Sequence, residues 1–425
     1  MTPYFGELRS QWRPLAAAVL GLSSGLTVLG YVFGIMGPFL IAEFGWSKAE
    51  FALISTMAII AVFVFPVVGR LADVLGVRRT ATIGVIACPL ILLATTTASD
   101  LRSYALLFAV QMVILGTTTA PVYCRLIVQY FDRARGLALG IAAAGPAVVG
   151  AIGGPLLNNF VADHGWRAGF VAVAIYTGIG GLIALLLIPR AKAAPVAARQ
   201  TKPRTAKADY GRIFRTPAFW IIFFAILLGN LPQTVFMAQL TLVLAENGAP
   251  GKEGSIMISA FAVGTLVGRL ISGVALDRFP APFVAAVGMA LSGVGLLGIA
   301  SGFDTTPMLF SSVLLFGLSL GAEADVIAYL VVRNFGVRVY GSVHGMLAST
   351  ISITAVIGSI IMSAMVKTYG IYAPFLWLTG ALGLVASLLF LLLPRNPQVE
   401  DGPIDSEVDS EGHSAPEDPR IAATA

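Results

Sequence analysis

Apolar residues in this chain fall into long runs separated by short charged or polar breaks. About 20 mostly apolar helical residues cross the hydrocarbon core of a bilayer, and the pattern predicts twelve such spans. In the first half they cover Leu15 to Ile41, Phe51 to Leu71, Thr80 to Ala98, Tyr104 to Tyr130, Gly136 to Val161 and Arg167 to Ile188. The second half repeats the series at Ala218 to Leu244, Ser255 to Leu276, Pro282 to Ala300, Pro307 to Val332, Ser342 to Val366 and Tyr372 to Leu393. The expected organisation is a six-helix bundle over residues 1–189, a linker over 190–216, a second six-helix bundle over 217–394 and a disordered acidic tail over 395–425. The fold class expected is an all-α membrane protein of twelve transmembrane helices in two pseudo-symmetric halves.

Composition removes the soluble alternatives. Hydrophobic residues make up 57% of the chain and charged residues 12%, against roughly 45–50% and 25% in a soluble domain. Glycine is abundant, at 46 of 425 residues, and small residues let membrane helices approach closely. The two cysteines, Cys88 and Cys124, lie inside apolar runs and suggest neither a disulfide framework nor a thiolate metal site. The first run is too long for a signal-peptide core and reads as an uncleaved first span.

Charge sets the orientation. With the N-terminus in the cytoplasm, that side carries 18 basic residues, eight of them between Pro189 and Thr216, and the other side only Lys48, Arg102, Arg167, Lys252 and Lys367. The positive-inside rule then predicts a multi-pass protein of the inner membrane with both termini cytoplasmic. The basic balance is explained by these flanking loops and calls for no nucleic acid.

The halves echo each other. Gly69 to Asp73 follows the second span as Gly273 to Arg278 follows the eighth, and Phe131 to Gly140 resembles Phe335 to Gly345. Such duplication predicts paired repeats around a central site.

The loop from Gly69 to Arg79, GRLADVLGVRR, resembles the G-x-x-x-D-R-x-G-x-R-R loop of the major facilitator superfamily, with Val74 replacing the first Arg. The stretch from Tyr130 to Gly145, YFDRARGLALGIAAAG, is similar to that of the monocarboxylate and oxalate carriers, with Ala134 where a base is usual. The resemblance implies a secondary transporter that moves a small organic anion with a proton by alternating access. It implies no enzyme activity, no cofactor and no metal, and the chain is expected to act as a monomer in lipid. It also implies a gating latch of Asp73, facing Arg78 or Arg79, with Asp277 as its counterpart. An exporter of amphipathic or neutral compounds, with structural intramembrane charges, is the alternative.

Four ionisable residues fall inside the spans: Arg125, Arg269, Glu323 and Asp325. Burying a charge at the bilayer centre costs at least about 2.5–3.5 kcal/mol, so such residues normally face a cavity or a partner. Arg125 and Arg269 are the expected carboxylate binders, since a guanidinium fork grips a carboxylate with two hydrogen bonds. Arg125 alternatively closes on Asp325 or Glu323 as a structural pair. The resembled carriers hold an Asp four residues before the arginine at position 269, where Thr265 stands here.

Glu323 and Asp325 project about 200° apart on a helix. Asp325 shares its stripe with Tyr329 and Arg333 and is expected to be the wetter, ionised counter-charge. Glu323 lies on a drier stripe and is expected to carry the proton. Tyr31, Tyr123, Asn230, Gln233 and Tyr329 are further substrate-binding candidates. Asn230-Leu231-Pro232 is expected to break the seventh span. His344 reads as interfacial.

Overall fold

The computed structural model describes residues 3–46, 51, 54, 56–189, 206–249, 251–302 and 305–394. Secondary structure among them is helical, as it must be where lipid offers backbone groups no hydrogen bonds. A short helix α1 (Pro3–Ser10) precedes α2 (Trp12–Ser23) and α3 (Leu26–Phe44), which together form the first span. The second span is a 3-10 turn (Thr56–Ile60) and α4 (Ala61–Leu75), and the third is α5 (Val77–Thr95). The fourth joins α6 (Leu101–Leu115) to α7 (Ala120–Tyr130) through a 3-10 turn (Gly116–Thr118).

Next comes α8 (Arg135–Leu187), 53 residues long with Gly165 at φ 84° inside it. A straight helix of that length would reach about 80 Å, against a core of about 30 Å. Gly165 therefore divides α8 into the fifth and sixth spans, and a left-handed residue at such a fold is where glycine is needed. The linker helix α9 (Ala206–Arg215) turns by 72° into α10 (Pro217–Gly229). With α11 (Gln233–Glu246), α10 makes the seventh span. The remaining five are α12 (Lys252–Arg278), α13 (Ala281–Ala300), α14 (Thr306–Phe335), α15 (Tyr340–Tyr369) and α16 (Ala373–Leu391). The twelve spans match the sequence reading.

Among the described residues, three spans are broken partway along their length, at residues 24–25, 116–119 and 230–232. Only the last was foreseen. In the fourth span three consecutive threonine hydroxyls donate to the carbonyls the break would strand: Thr117 to Ile114, Thr118 to Leu115 and Thr119 to Gly116, at 2.5–2.7 Å. The first and fourth breaks meet, because Leu26 N–H donates to Thr118 Oγ1 at 3.1 Å. Side chains thus satisfy the freed backbone, the condition for irregular helix inside a membrane.

The halves meet where α4 packs along α15 and α8 along α12. Glycines allow that approach. A Cβ at Gly273 would lie 2.7 Å from the Gly136 carbonyl oxygen, and one at Gly140 would lie 2.7 Å from that of Arg269. The loops that were counted as the basic side gather at this end, which we term the basic face. On the opposite face the described polar contacts join elements of one half. Glu43 takes Trp166 Nε1–H and the Arg167 guanidinium, and Glu246 takes Tyr372 N–H at 2.9 Å. The acidic tail and most of the linker lie outside the described residues. The part of the linker that is described includes the α9 helix, and its Asp209 is buried against Arg70 at 2.6 Å and Arg338 at 3.5 Å.

Candidate functional site: a double latch and a buried charge cluster

Two carboxylates lock the basic face in crossed fashion. Asp73, in the last turn of α4, accepts the N–H groups of Gly341 and Ser342 at 2.8 and 2.7 Å and the Ser342 hydroxyl at 2.6 Å. It thereby caps the first turn of α15 in the other half, where unpaired N–H groups and the helix dipole favour an anion. Asp277, in the last turn of α12, does the same for α8: Gly136 N–H donates to it at 2.6 Å and Leu137 N–H at 3.0 Å. The two sequence echoes are the two components of this latch, each carboxylate of one half closing on the glycine-led helix start of the other.

Two expectations are corrected here. Asp73 does not rely on Arg78 or Arg79: Arg78 donates to the Ile188 carbonyl at 2.8 Å, and Arg79 is exposed. Its ion-pair partner is Arg125, which was expected to meet substrate, Asp325 or Glu323. The reason is depth. Arg125 stands five residues from the end of α7, near the basic face, so its nearest buried carboxylate is the latch. Tyr329 belongs to the same layer, half-buried within electrostatic reach of Asp277 and Arg135.

Breaking a buried ion pair from one side strands a charge at roughly 3–5 kcal/mol, whereas removing both partners does not. Asp73→Asn is therefore expected to lower the melting temperature of the purified protein by several degrees. The double variant Asp73→Asn/Arg125→Gln should recover part of that loss. Melting curves of the two single variants and the double variant check this; strictly additive losses would contradict the pair.

Above the latch lies a charge cluster of the second half, against which Gly140 of the first half packs. Asp325 on α14 is buried, its Oδ2 without a hydrogen-bond partner, and Arg269 on α12 is half-buried with Nε in the same condition. The two are within electrostatic reach, and a Cβ at Gly140 would touch the Arg269 carbonyl and lie 3.5 Å from Asp325 Oδ2. Among the described residues no carboxylate is within ion-pair distance of Arg269. Glu323 is half-buried and accepts from the Asn230 side chain at the seventh-span break, where Asn230 Nδ2 also reaches the Ile226 carbonyl at 3.0 Å.

The wet and dry roles of the acids are thus reversed. Stripes on α14 alone put Asp325 beside Tyr329 and Arg333, but Gly140 brings α8 of the other half against that stripe and seals it.

Tyr123 is buried with its ring over Gly21. Tyr31 is 45% exposed and lies over Gly150, beside an apolar cavity of about 360 Å³ shared with Tyr176. Gln233 opens α11, and its side chain lies outside the described residues. His344, expected at the interface, is buried one turn into α15 with its ring 5.2 Å from that of Tyr340. His344 Nδ1 and the Tyr340 hydroxyl lack partners among the described residues. Sequence reading missed Tyr340, Asp209, Tyr4 and Glu7; the Tyr-x-x-x-His spacing at 340–344 was the available signal for the first.

Comparison with known proteins agrees with this architecture. The Major Facilitator Superfamily profile matches residues 15–246 and 222–418. Human monocarboxylate transporter 11 is 27% identical over 408 residues, covering 89% of this chain and 82% of that protein. The gallate transporter of Pseudomonas putida is 24% identical over 310 residues, covering 64% and 67%. Among solved structures, the E. coli fucose:proton symporter FucP superposes with a TM-score of 0.69 at 14% identity, covering 91% of this chain and 98% of that one. The proton:xylose symporter XylE gives 0.66 at 12%, covering 92% and 96%. The chain belongs to the Major Facilitator Superfamily of membrane transporters.

Proposed function

We propose that the protein carries a small organic anion of the monocarboxylate kind together with a proton, by alternating access, and that it does so as a monomer in the inner membrane. The observation that carries this reading is the cluster of Arg269 and Asp325: among the described residues, a cation with no ion pair beside a buried carboxyl with an unpartnered oxygen. An incoming carboxylate supplies the fork partner that Arg269 lacks. Its negative charge is then balanced when Asp325 takes up a proton, so the loaded cluster carries the same net charge as the empty one. A neutral balance is what permits reorientation through a low-dielectric core. Arg125 serves the latch, and Glu323 with Asn230 braces the broken seventh span against α14.

The names of two relatives, a monocarboxylate transporter and a gallate transporter, support the same substrate class. The gathering of the basic loops on one face supports cytoplasmic termini. Both latches are closed on that face.

The apolar cavity beside Tyr31 favours a second reading, an exporter of amphipathic compounds. Uptake into proteoliposomes separates the two. Labelled monocarboxylates should enter and their uncharged amides should not; entry of the amides at equal rates would support the exporter reading.

A further inference from the structure

The N-terminal helix α1 contacts both halves. Its Glu7 carboxylate accepts three consecutive N–H groups ahead of α8, those of Asp132 at 2.8 Å, Arg133 at 3.0 Å and Ala134 at 2.8 Å. These bonds lie within the first half and survive any movement between halves. One turn earlier, the Tyr4 hydroxyl donates to Asp277 Oδ2 at 2.8 Å, and Asp277 belongs to the second half. Together Glu7 and Asp277 satisfy the N–H groups at the start of α8 that no helical carbonyl can reach.

The pseudo-symmetry explains why a tyrosine is needed. In the other latch the capped turn runs Gly341-Ser342, and Ser342 supplies a hydroxyl to Asp73 in addition to its N–H. The corresponding turn at α8 runs Gly136-Leu137, which has no hydroxyl to give. Tyr4 fills that place from outside the repeat. Burial, and then the facing Asp277 carboxylate, push the Tyr4 hydroxyl well above its ordinary range, so it stays a donor.

We propose that α1 is a strap that holds the basic-face gate shut, anchored by Glu7 on one half and clasped by Tyr4 on the latch carboxylate of the other. Opening the face must break the Tyr4 bond along with the two backbone bonds to Asp277, so the strap biases the transporter toward the state described here. The proposal rests on alternating opening of this face and is independent of the substrate carried.

The test is the distance between spin labels at Val74 and Phe279, exposed positions on opposite halves of the basic face, in the full-length reconstituted protein. Tyr4→Phe keeps the ring and removes only the hydroxyl. The ratio of the long-distance, open population to the closed one should rise by roughly thirtyfold, the size of effect one hydrogen bond to a charged group gives. Adding Leu137→Ser rebuilds the Ser342 arrangement and should return the distribution toward that of the parent. Asp73→Asn, which opens the face by the other latch, is the control. If Asp73→Asn opens the face and Tyr4→Phe does not, the strap is wrong. A Tyr4→Phe shift that Leu137→Ser fails to reverse also overturns it, because the effect would then bypass Asp277. No open population in any variant would overturn the gate itself, and the strap with it.

Discussion

Asp325→Asn protein is expected to exchange substrate between equal pools while failing to accumulate it against a gradient. With one proton carried per anion, a step of one pH unit is worth about 1.4 kcal/mol and supports roughly tenfold accumulation. The variant should hold that ratio near one. Asparagine matches the size of the buried side chain, so the packing of α14 against Gly140 is retained. What disappears is the group that is neutral in one cavity state and ionised in another. The chemistry assigns this role to Asp325 rather than Glu323 because its Oδ2 is buried and unpartnered, whereas Glu323 is half-buried and engaged by Asn230. Glu323→Gln should consequently keep pH-driven accumulation. Counterflow and pH-step uptake in the two variants decide it: accumulation intact in Asp325→Asn and lost in Glu323→Gln would exchange the roles.

Arg269→Lys is expected to cut the transport kcat/KM by about thirtyfold. Lysine keeps the charge but replaces a planar fork by a point donor, and a hydrogen bond to a charged group is worth roughly 1.5–3 kcal/mol. Loss of one of two such bonds, about 2 kcal/mol, gives that factor. Because Arg269 has no ion pair to lose among the described residues, the melting temperature should change little. Initial uptake rates across substrate concentrations, read beside melting curves, test the assignment. Unimpaired transport in Arg269→Lys would remove the residue from substrate binding.

Much of this arrangement was written in the sequence. Twelve apolar runs gave the spans, and the two echoes, Gly69 to Asp73 with Gly273 to Asp277 and Phe131 to Gly140 with Phe335 to Gly345, proved to be the parts of the crossed latch. Asn230-Leu231-Pro232 announced the seventh-span break because proline removes a backbone donor. The breaks at Ser24-Gly25 and at Gly116 to Thr119 were passed over, since threonine in an apolar run reads as filler until its hydroxyls are seen returning to the chain.

Partners across the halves were the part that single-helix reasoning did not reach. Wetness judged from the stripe on α14 misplaced Asp325, because the surface that dries it is Gly140 on α8, about 185 positions away in sequence. Arg125 was read by span membership rather than by depth, and so was assigned to the cavity rather than to Asp73. Tyr4 and Glu7 lie outside every span and motif, and only the folded chain brings them to Asp277 and the start of α8.

The central claim is that a carboxylate and a proton move together. The most direct measurement is uptake by the reconstituted parent protein of one labelled monocarboxylate, with the exterior made acidic and the membrane potential clamped at zero. Accumulation should rise about tenfold per imposed pH unit, collapse on adding a protonophore and be accompanied by alkalinisation of the exterior. Uptake of the carboxylate that reaches equilibrium without accumulating, whatever the pH step, would contradict the account.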